Sequence, residues 1–322
     1  MYTEWVERVQ QWAESIIAAV EGLFFGKREV IEKLLVALLS DGHVLLEDVP
    51  GVGKTVLARA LAATIDARFA RVQCTPDLLP ADVTGVSVFN PKDNEFHFRG
   101  GPILANIVLV DEINRATPRT QSALLEAMAE GQITVEGHAL PLPDPFFVIA
   151  TENPVEFDGT FPLPEAQKDR FLLSLRIGYP DRAVETDILT SRRRLTNPLD
   201  DVEPVVGVES VREMQQAVTE VHVEAAVTDY MLDIIDHVRS HRAVRLGGSP
   251  RASLALYRCA QARAAIHGRN FVLPDDVKAL ASHVLSRRML VTADARLRGT
   301  EAEDIVEEAL EEVTVPLGGS EA

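Results

Sequence analysis

Apolar residues recur along this chain at two different periods, and the change from one to the other outlines the fold. Trp5, Val9, Trp12 and Ile16 fall at helical spacing, as do Val30, Leu34, Leu35 and Leu38, with Gly22 and Gly26 separating the two predicted helices. Residues 43–47 carry Val44, Leu45 and Leu46, a short apolar run suited to a strand buried on both faces. Similar runs predict strands over 106–110, 145–150 and 171–177, and a helix over 56–65 follows the first strand. Strands alternating with helices predict an α/β domain with a parallel sheet. Two segments interrupt the alternation. Residues 82–99 place Val86, Val88, Phe96 and Phe98 around the turn Pro91-Lys92-Asp93-Asn94, and residues 132–142 carry Glu136-Gly137-His138 at their tip; both read as β-hairpins.

The pattern changes after residue 180. Residues 180–206 read as a hinge: a helix is predicted over 182–194, and residues 196–204 hold two prolines among several acids. Helical spacing then persists over 208–221, 228–240, 249–267, 274–290 and 300–312, with no strand signal beyond short apolar links. The prediction is an α/β core over 1–195 followed by an all-α domain over 196–322. A length of 322 residues agrees, because one hydrophobic core usually stops growing near that size.

Charge narrows the function. With 32 basic and 49 acidic side chains the net charge is −17, which argues against a surface built for nonspecific binding to nucleic acid or anionic lipid. The longest apolar run, 34–39, is far too short for a membrane span, and Glu4 and Glu7 stand where a signal peptide would be basic. Cys74 and Cys259 lie far apart without metal-ligand spacing and read as buried thiols of a cytoplasmic protein. The histidines are read as forming no metal cluster, with His43 and His241 structural.

The chemistry concentrates in three strand ends. Asp48-Val49-Pro50-Gly51-Val52-Gly53-Lys54-Thr55 lies between a predicted strand and the helix beginning near Lys54, the context a phosphate-binding loop requires. Gly51 and Gly53 let backbone N–H groups turn toward an anion at a helix N-terminus, with Val49, Pro50, Val52 and Val56 completing the loop. Lys54 would reach the β- and γ-phosphates of a bound nucleotide, and the Thr55 hydroxyl would hold Mg²⁺. Asp48 occupies the position where such loops usually open with Gly. The second strand end is Ile107-Val108-Leu109-Val110-Asp111-Glu112: Asp111 is a candidate for the Mg²⁺ shell and Glu112 for activating the attacking water. The third, Phe146-Phe147-Val148-Ile149-Ala150-Thr151-Glu152-Asn153-Pro154, delivers Asn153 to the same sheet edge, where an amide can position that water. After the acidic strand, Thr117, Pro118 and Gly131 predict the cap, start and stop of a helix whose buried stripe is Leu124, Leu125 and Met128.

These pieces in this order resemble the AAA+ ATPases and, within them, the MoxR family. The resemblance covers most of the chain. It is carried by residues 42–51, by Asp111-Glu112-Ile113-Asn114-Arg115-Ala116, by Gln121-Ser122-Ala123-Leu124-Leu125-Glu126-Ala127-Met128 and by Ala150-Thr151-Glu152-Asn153-Pro154. Phe161-Pro162-Leu163-Pro164-Glu165-Ala166-Gln167-Lys168-Asp169-Arg170-Phe171 and Ser249-Pro250-Arg251-Ala252-Ser253 complete it. The resemblance implies a P-loop parallel-sheet core with helices on both faces and two β-hairpin insertions, followed by a helical lid domain. It implies that Asn153 is sensor 1, that Arg251 is sensor 2, and that Arg170 is an arginine finger acting on ATP held by a neighbouring subunit, with Arg115 and Arg119 as rivals. Ser249 and Pro250 independently place Arg251 in the first turn of a helix. The hairpins resemble the helix-2 insert and the pre-sensor-1 hairpin of the family. They face a pore and its substrate on one reading and merely cover the sheet on the other.

The resemblance further implies an Mg²⁺-dependent ATPase working as a homo-oligomeric ring, a hexamer, that remodels or matures a protein client, in the family often together with a von Willebrand factor A domain protein. A nucleic-acid motor is the alternative in another class, opposed by the net charge. A nucleotide-gated binding module with little turnover is a third, prompted by Asp48 and opposed by Lys54, Asp111, Glu112 and Asn153. A metal-chelatase motor subunit is a near relative of the first reading.

Overall fold

The structure, a computed structural model, describes residues 4–153, 159–191, 199 and 202–316. Pro154 and part of the expected hinge, including the end of the helix predicted to reach 194, lie outside the described residues.

The elements run in order: helices α1 (Glu4–Glu21) and α2 (Arg28–Leu39), strand β1 (Val44–Glu47), α3 (Lys54–Thr64), β2 (Phe69–Gln73), α4 (Pro80–Thr84) and the hairpin β3 (Gly85–Asn90) and β4 (Glu95–Gly100). Next come β5 (Ile107–Asp111), α5 (Pro118–Glu130), the hairpin β6 (Gln132–Val135) and β7 (His138–Pro141), β8 (Phe147–Glu152), α6 (Glu165–Lys168), β9 (Leu173–Leu175) and α7 (Arg182–Ser191). The remainder is α8 (Val208–Thr219), α9 (Ala225–Ser240), β10 (Val244–Leu246), α10 (Pro250–Ile266), α11 (Pro274–Leu285), β11 (Leu290–Val291), α12 (Ala293–Leu297) and α13 (Ala302–Glu312).

Contacts divide the chain into two compact units that interleave in sequence. One comprises Glu14–Leu163 and Leu175–Arg212; the other comprises Met1–Ala13, Pro164–Ser174 and Glu213–Ala322.

The first unit is built on a sheet in which β2, β5, β8 and β1 lie side by side in that order, each pair parallel. Strands β1, β5 and β8 are apolar along almost their whole length and buried, as central parallel strands covered on both sides must be. Their register brings the carboxyl ends level: Leu46 lies beside Thr151, Glu47 beside Glu152, Val110 beside Ala150, and Gln73 beside Asp111. Ligands of open α/β sheets bind at this edge. Strand β2 escapes the sequence pattern because it is an edge strand: in Phe69-Ala70-Arg71-Val72-Gln73 only Val72 is buried. His43 anchors the start of β1. Its Nδ1 accepts the Val148 N–H at 3.1 Å, which leaves Nε2 to donate to the Met128 carbonyl at 3.1 Å. Burial lowers its pKa, so the ring stays neutral where it packs edge-on to Phe146.

Both predicted hairpins form. Glu136 and Gly137, both with positive φ, make the two-residue turn of the second. The first leaves Val86, Val88, Phe89, Phe96 and Phe98 exposed, so alternation along its strands does not bury a face within this chain.

The second unit is mainly helical. Met214, Tyr230, Ile234, Leu256, Val277, Leu280 and Val306 are among its buried side chains. Contrary to expectation it also holds strands, the short antiparallel pair β10–β11, and the helix predicted to run to 290 ends at Leu285. Asp276 is fully buried at the start of α11, where its carboxylate accepts from Arg263 at 2.6 Å, from Arg269 at 2.6 and 2.7 Å, and from the Leu273 N–H at 2.8 Å. Losing one partner of such a buried pair costs about 3–5 kcal/mol. Among the described residues no helix is long and apolar enough to cross a membrane.

Candidate active site

The loop from Asp48 to Thr55 connects β1 to α3 at the carboxyl edge of the sheet. Gly51 and Gly53 have φ of +90° and +94°, values that side chains rarely allow. A Cβ at Gly51 would meet nothing within 4 Å, whereas one at Gly53 would come within 2.8 Å of the Phe24 ring. Gly53 is therefore fixed by packing as well as by conformation. Gly51 belongs to the open part of the loop, where Pro50 is also exposed; Val52 turns inward. Lys54 and Thr55 open α3 and are half-buried, as is Val56.

The Lys54 ammonium donates to the Asp48 carbonyl oxygen at 2.6 Å. Burial pulls its pKa below the usual lysine value, and the carboxylates of Asp48, Asp111 and Glu112 pull against that. These side chains thus share one electrostatic environment, although more than fifty residues separate the two motifs.

Asp48 has a role that the sequence does not show. It is 7% exposed, and its Oδ2 accepts the Ile177 N–H, while the Gly178 N–H approaches both oxygens at 3.2 and 3.3 Å. Its own N–H donates to the Glu152 carbonyl at 3.2 Å. The residue standing where Gly is usual therefore ties the end of β1 to β8 and to the segment that follows β9. The signal lies in contacts about 130 positions away, beyond any local motif.

At the end of β5, Thr151 from the adjacent strand braces both acids. Its hydroxyl donates to Asp111 Oδ1 at 2.8 Å and accepts the Glu112 N–H at 2.8 Å. Glu112 sits in the left-handed region, φ +56°, which turns its side chain out of the strand repeat. Arg71 donates to Asp111 Oδ2 at 2.6 Å, and Gln73, two residues along the same strand, donates to Glu112 Oε2 at 3.0 Å. Arg115 reaches the same Glu112 oxygen at 3.2 Å. Sequence reasoning missed Arg71, Gln73 and the bracing role of Thr151; the available signal was two polar residues at period-two spacing ahead of the Cys-Thr-Pro turn. Cys74 lies beside this cluster, and burial reinforced by Asp111 and Glu112 pushes its thiol up to about 12, so it stays protonated.

Asn153 follows the end of β8, between the strand that carries the loop and the strand that carries the acids. Two other candidates belong to the second unit. Arg170 follows α6 in the segment Pro164–Ser174, and among the described residues its side chain makes no ion pair or hydrogen bond. Arg251 is exposed in the first turn of α10, whose N-cap Ser249 accepts its N–H at 3.1 Å. Of the rival fingers, Arg115 is engaged by Glu112 of its own chain, and Arg119 is exposed on α5.

Two histidines of the helical unit meet carboxylates away from the nucleotide site. His237 on α9 and His241, the C-cap residue just past its end, face Glu312 at 3.9 Å and Glu308 at 3.4 Å on α13. Ligand-capable atoms of His237, Glu308 and Glu312 all lie within 4.8 Å of one another. One histidine, His237, enters that group, brought to the two carboxylates where α13 packs on α9.

A parallel sheet with a phosphate loop on one central strand and paired acids on another defines a P-loop ATPase. Residues 43–173 match the model of the ATPase family associated with various cellular activities, and residues 237–309 match the AAA lid domain. The chain is 51% identical to an uncharacterized protein of Bacillus subtilis, YeaC, over 92% of this chain and 93% of that one. It is 37% identical to Chaperone MoxR1 of Mycobacterium tuberculosis, over 94% of this chain and 82% of that one. A crystal structure from Cytophaga hutchinsonii, described as that of a candidate ATPase, superposes with a TM-score of 0.90 at 33% identity and covers 98% of both chains. The chain belongs to the MoxR family of AAA+ ATPases and is an ATP-hydrolysing enzyme.

Proposed function

We propose that this ATPase uses Mg²⁺, assembles as a hexameric ring of its own copies, and spends hydrolysis on remodelling or maturing a protein client in the cytoplasm. The observation that carries the reading is the convergence of Lys54, Asp111, Glu112 and the bracing Thr151 on one sheet edge. The residues present fit Mg²⁺-ATP. Gly51 leaves an open backbone cradle, the desolvated Lys54 suits phosphate oxygens, and the Thr55 hydroxyl and Asp111 carboxylate are the hard oxygen donors that Mg²⁺ favours. When bound, the cation neutralises charge building on the phosphate oxygens.

In this reading the loop amides and Lys54 hold the β- and γ-phosphates. Asn153 positions the attacking water, and Glu112 takes its proton onto a carboxylate oxygen as the bond to the γ-phosphorus forms and the β–γ bridge breaks. Gln73 and Arg115 fix the orientation of that carboxylate. Arg170 acts as the finger on a neighbour's nucleotide and Arg251 as sensor 2. Hydrolysis would then depend on assembly.

The name of the Mycobacterium tuberculosis relative supports the chaperone-like role. The exposed aromatics of the first hairpin are suited to touching a client or a neighbouring subunit. A von Willebrand factor A domain protein is the partner class that the family resemblance favours. The net charge of −17 disfavours a nucleic-acid motor. Glu112→Gln tests the reading: it should retain ATP affinity and lose turnover by at least ~10²-fold. Normal turnover in that variant would refute the role given to Glu112.

A further inference from the structure

We propose that Asp169 and Arg288 are positioning residues that lock the Arg170 segment to the start of α10, so that Arg170 and Arg251 move as one body. The inference rests on the proposed roles of Arg170 as a finger acting on a neighbour and of Arg251 as the sensor of the subunit's own nucleotide.

All the groups involved belong to the second unit. Asp169 directly precedes Arg170. Its Oδ2 accepts the Ser249 hydroxyl at 2.8 Å, and its Oδ1 accepts Arg288 Nε at 2.9 Å. Ser249 is also the N-cap of α10, and its Oγ accepts the Arg251 N–H at 3.1 Å. One hydroxyl therefore connects the carboxylate beside one arginine to the backbone of the other.

Arg288 closes the connection from the opposite side. Its side chain is 5% exposed. Beyond Asp169 it donates to the Leu172 carbonyl at 3.0 Å, to the Phe171 carbonyl, and to the Val284 carbonyl of α11 at 2.6 Å. The guanidinium thus grips the chain before Arg170, through Asp169, and after it, through Phe171 and Leu172. His283 adds a contact to the Ser174 carbonyl at 3.3 Å. Arg251 lies close enough for its charge to act on the buried Arg288: burial lowers the Arg288 pKa first, Asp169 opposes that, and Arg251 lowers it further.

A buried ion pair is rarely the most stable filling for such a site, since well-packed apolar residues often do as well or better. What the fork of Arg288 supplies is directional: several fixed bonds to one short backbone segment. That segment carries the arginine assigned to the neighbour's site. A shift of about 1 Å in a positioning element can cost ~10²-fold in rate, so rigidity here bears on turnover more than on binding.

The test is subunit mixing with full-length protein. Asp169→Asn, Arg170→Ala and Glu112→Gln are each assayed alone for ATP turnover, for nucleotide affinity and for thermal unfolding, and then in pairs at equal concentration. Asp169→Asn alone should lose about 10²-fold in kcat while its nucleotide Kd stays within about 2-fold of wild type. Arg170→Ala mixed with Glu112→Gln should recover activity, because an intact finger from one subunit serves the intact site of the other. Asp169→Asn mixed with Glu112→Gln should not recover, because loss of the clamp disturbs the subunit's own Arg251 as well as the finger it lends. Recovery in that second mixture equal to the first would overturn the coupling, as would wild-type turnover in Asp169→Asn alone. Failure of the Arg170→Ala mixture to recover would instead refute the trans-finger reading on which the inference rests. Arg288→Lys, which keeps the charge and loses the fork, makes the same comparison should Asp169→Asn not fold, and it should match the Asp169→Asn pattern.

Discussion

Replacing Asp48 with Ala separates two roles that its position in the phosphate loop would otherwise merge. The Asp48 carboxylate accepts the Ile177 and Gly178 N–H groups, whereas Lys54 is held by the Asp48 backbone carbonyl. Truncation leaves the Ile177 N–H, on a residue only 4% exposed, with no acceptor; a buried donor stranded in this way costs about 1–3 kcal/mol. The Gly178 N–H is on a partly exposed residue and recovers some of its loss by meeting water, so the total should be about 2–4 kcal/mol. With a urea slope of ~3 kcal/mol per molar, near the upper end for single domains, that is a fall of about 1 M in the unfolding midpoint. Asp48→Asn keeps one acceptor and should lose about half as much. Urea unfolding without nucleotide, together with amide hydrogen exchange at Ile177, measures both effects. Nucleotide affinity of the folded protein should be nearly unchanged in each variant, because the carbonyl that holds Lys54 remains. An unchanged midpoint with unchanged exchange at Ile177 would refute the clamp. A stable Asp48→Ala protein that no longer binds nucleotide would place the side chain in the cradle instead.

Two further predictions concern other buried polar contacts. Thr151→Val removes the hydroxyl that braces Asp111 and Glu112, and steady-state kinetics should show kcat falling by ~10-fold or more with little change in KM; a rise in KM alone would contradict the bracing role. Stability should fall in two separate acid windows. His43 has a folded pKa below 6.5, so the unfolded chain binds the extra proton and stability declines as pH drops below that value, by at most about 1.4 kcal/mol per pH unit. For Asp276, burial raises the pKa, but Arg269, the Leu273 N–H and Arg263 outweigh it and hold the carboxyl below its ordinary 3.8, so its stabilisation is lost only as pH falls through that lower value. His43→Gln should flatten the slope just below pH 6.5 and leave the lower window intact; an unaltered slope would rule out His43 as its source.

Much of the α/β core was legible because its signals are local. Apolar runs mark β1, β5 and β8, and the sharp positive-φ turns at Gly51 and Gly53 need glycine. Thr117, Pro118 and Gly131 mark the ends of α5 through capping that depends on a few adjacent residues. The missing parts depend on contacts distant in sequence. Strand β2 has no apolar run because it lies at the sheet edge, so Arg71 and Gln73 could not be placed beside Asp111 and Glu112. The departure at Asp48 could be noticed, but its partners at Ile177 and Gly178 could not. Arg288 reads as one of several arginines near the end of a helix until the fold buries it against Asp169. His237 and His241 meet carboxylates only because α13 brings Glu312 and Glu308 to them.

ATP turnover per subunit, measured with Mg²⁺ over a range of protein concentrations for wild type and Arg170→Ala, tests the central claim most directly. The account predicts specific activity that climbs with concentration in wild type and is lost in the variant at every concentration, with nucleotide affinity retained. Specific activity independent of concentration, or an Arg170→Ala protein that turns over ATP as wild type does, would contradict an assembled ATPase with a finger supplied by the neighbouring subunit.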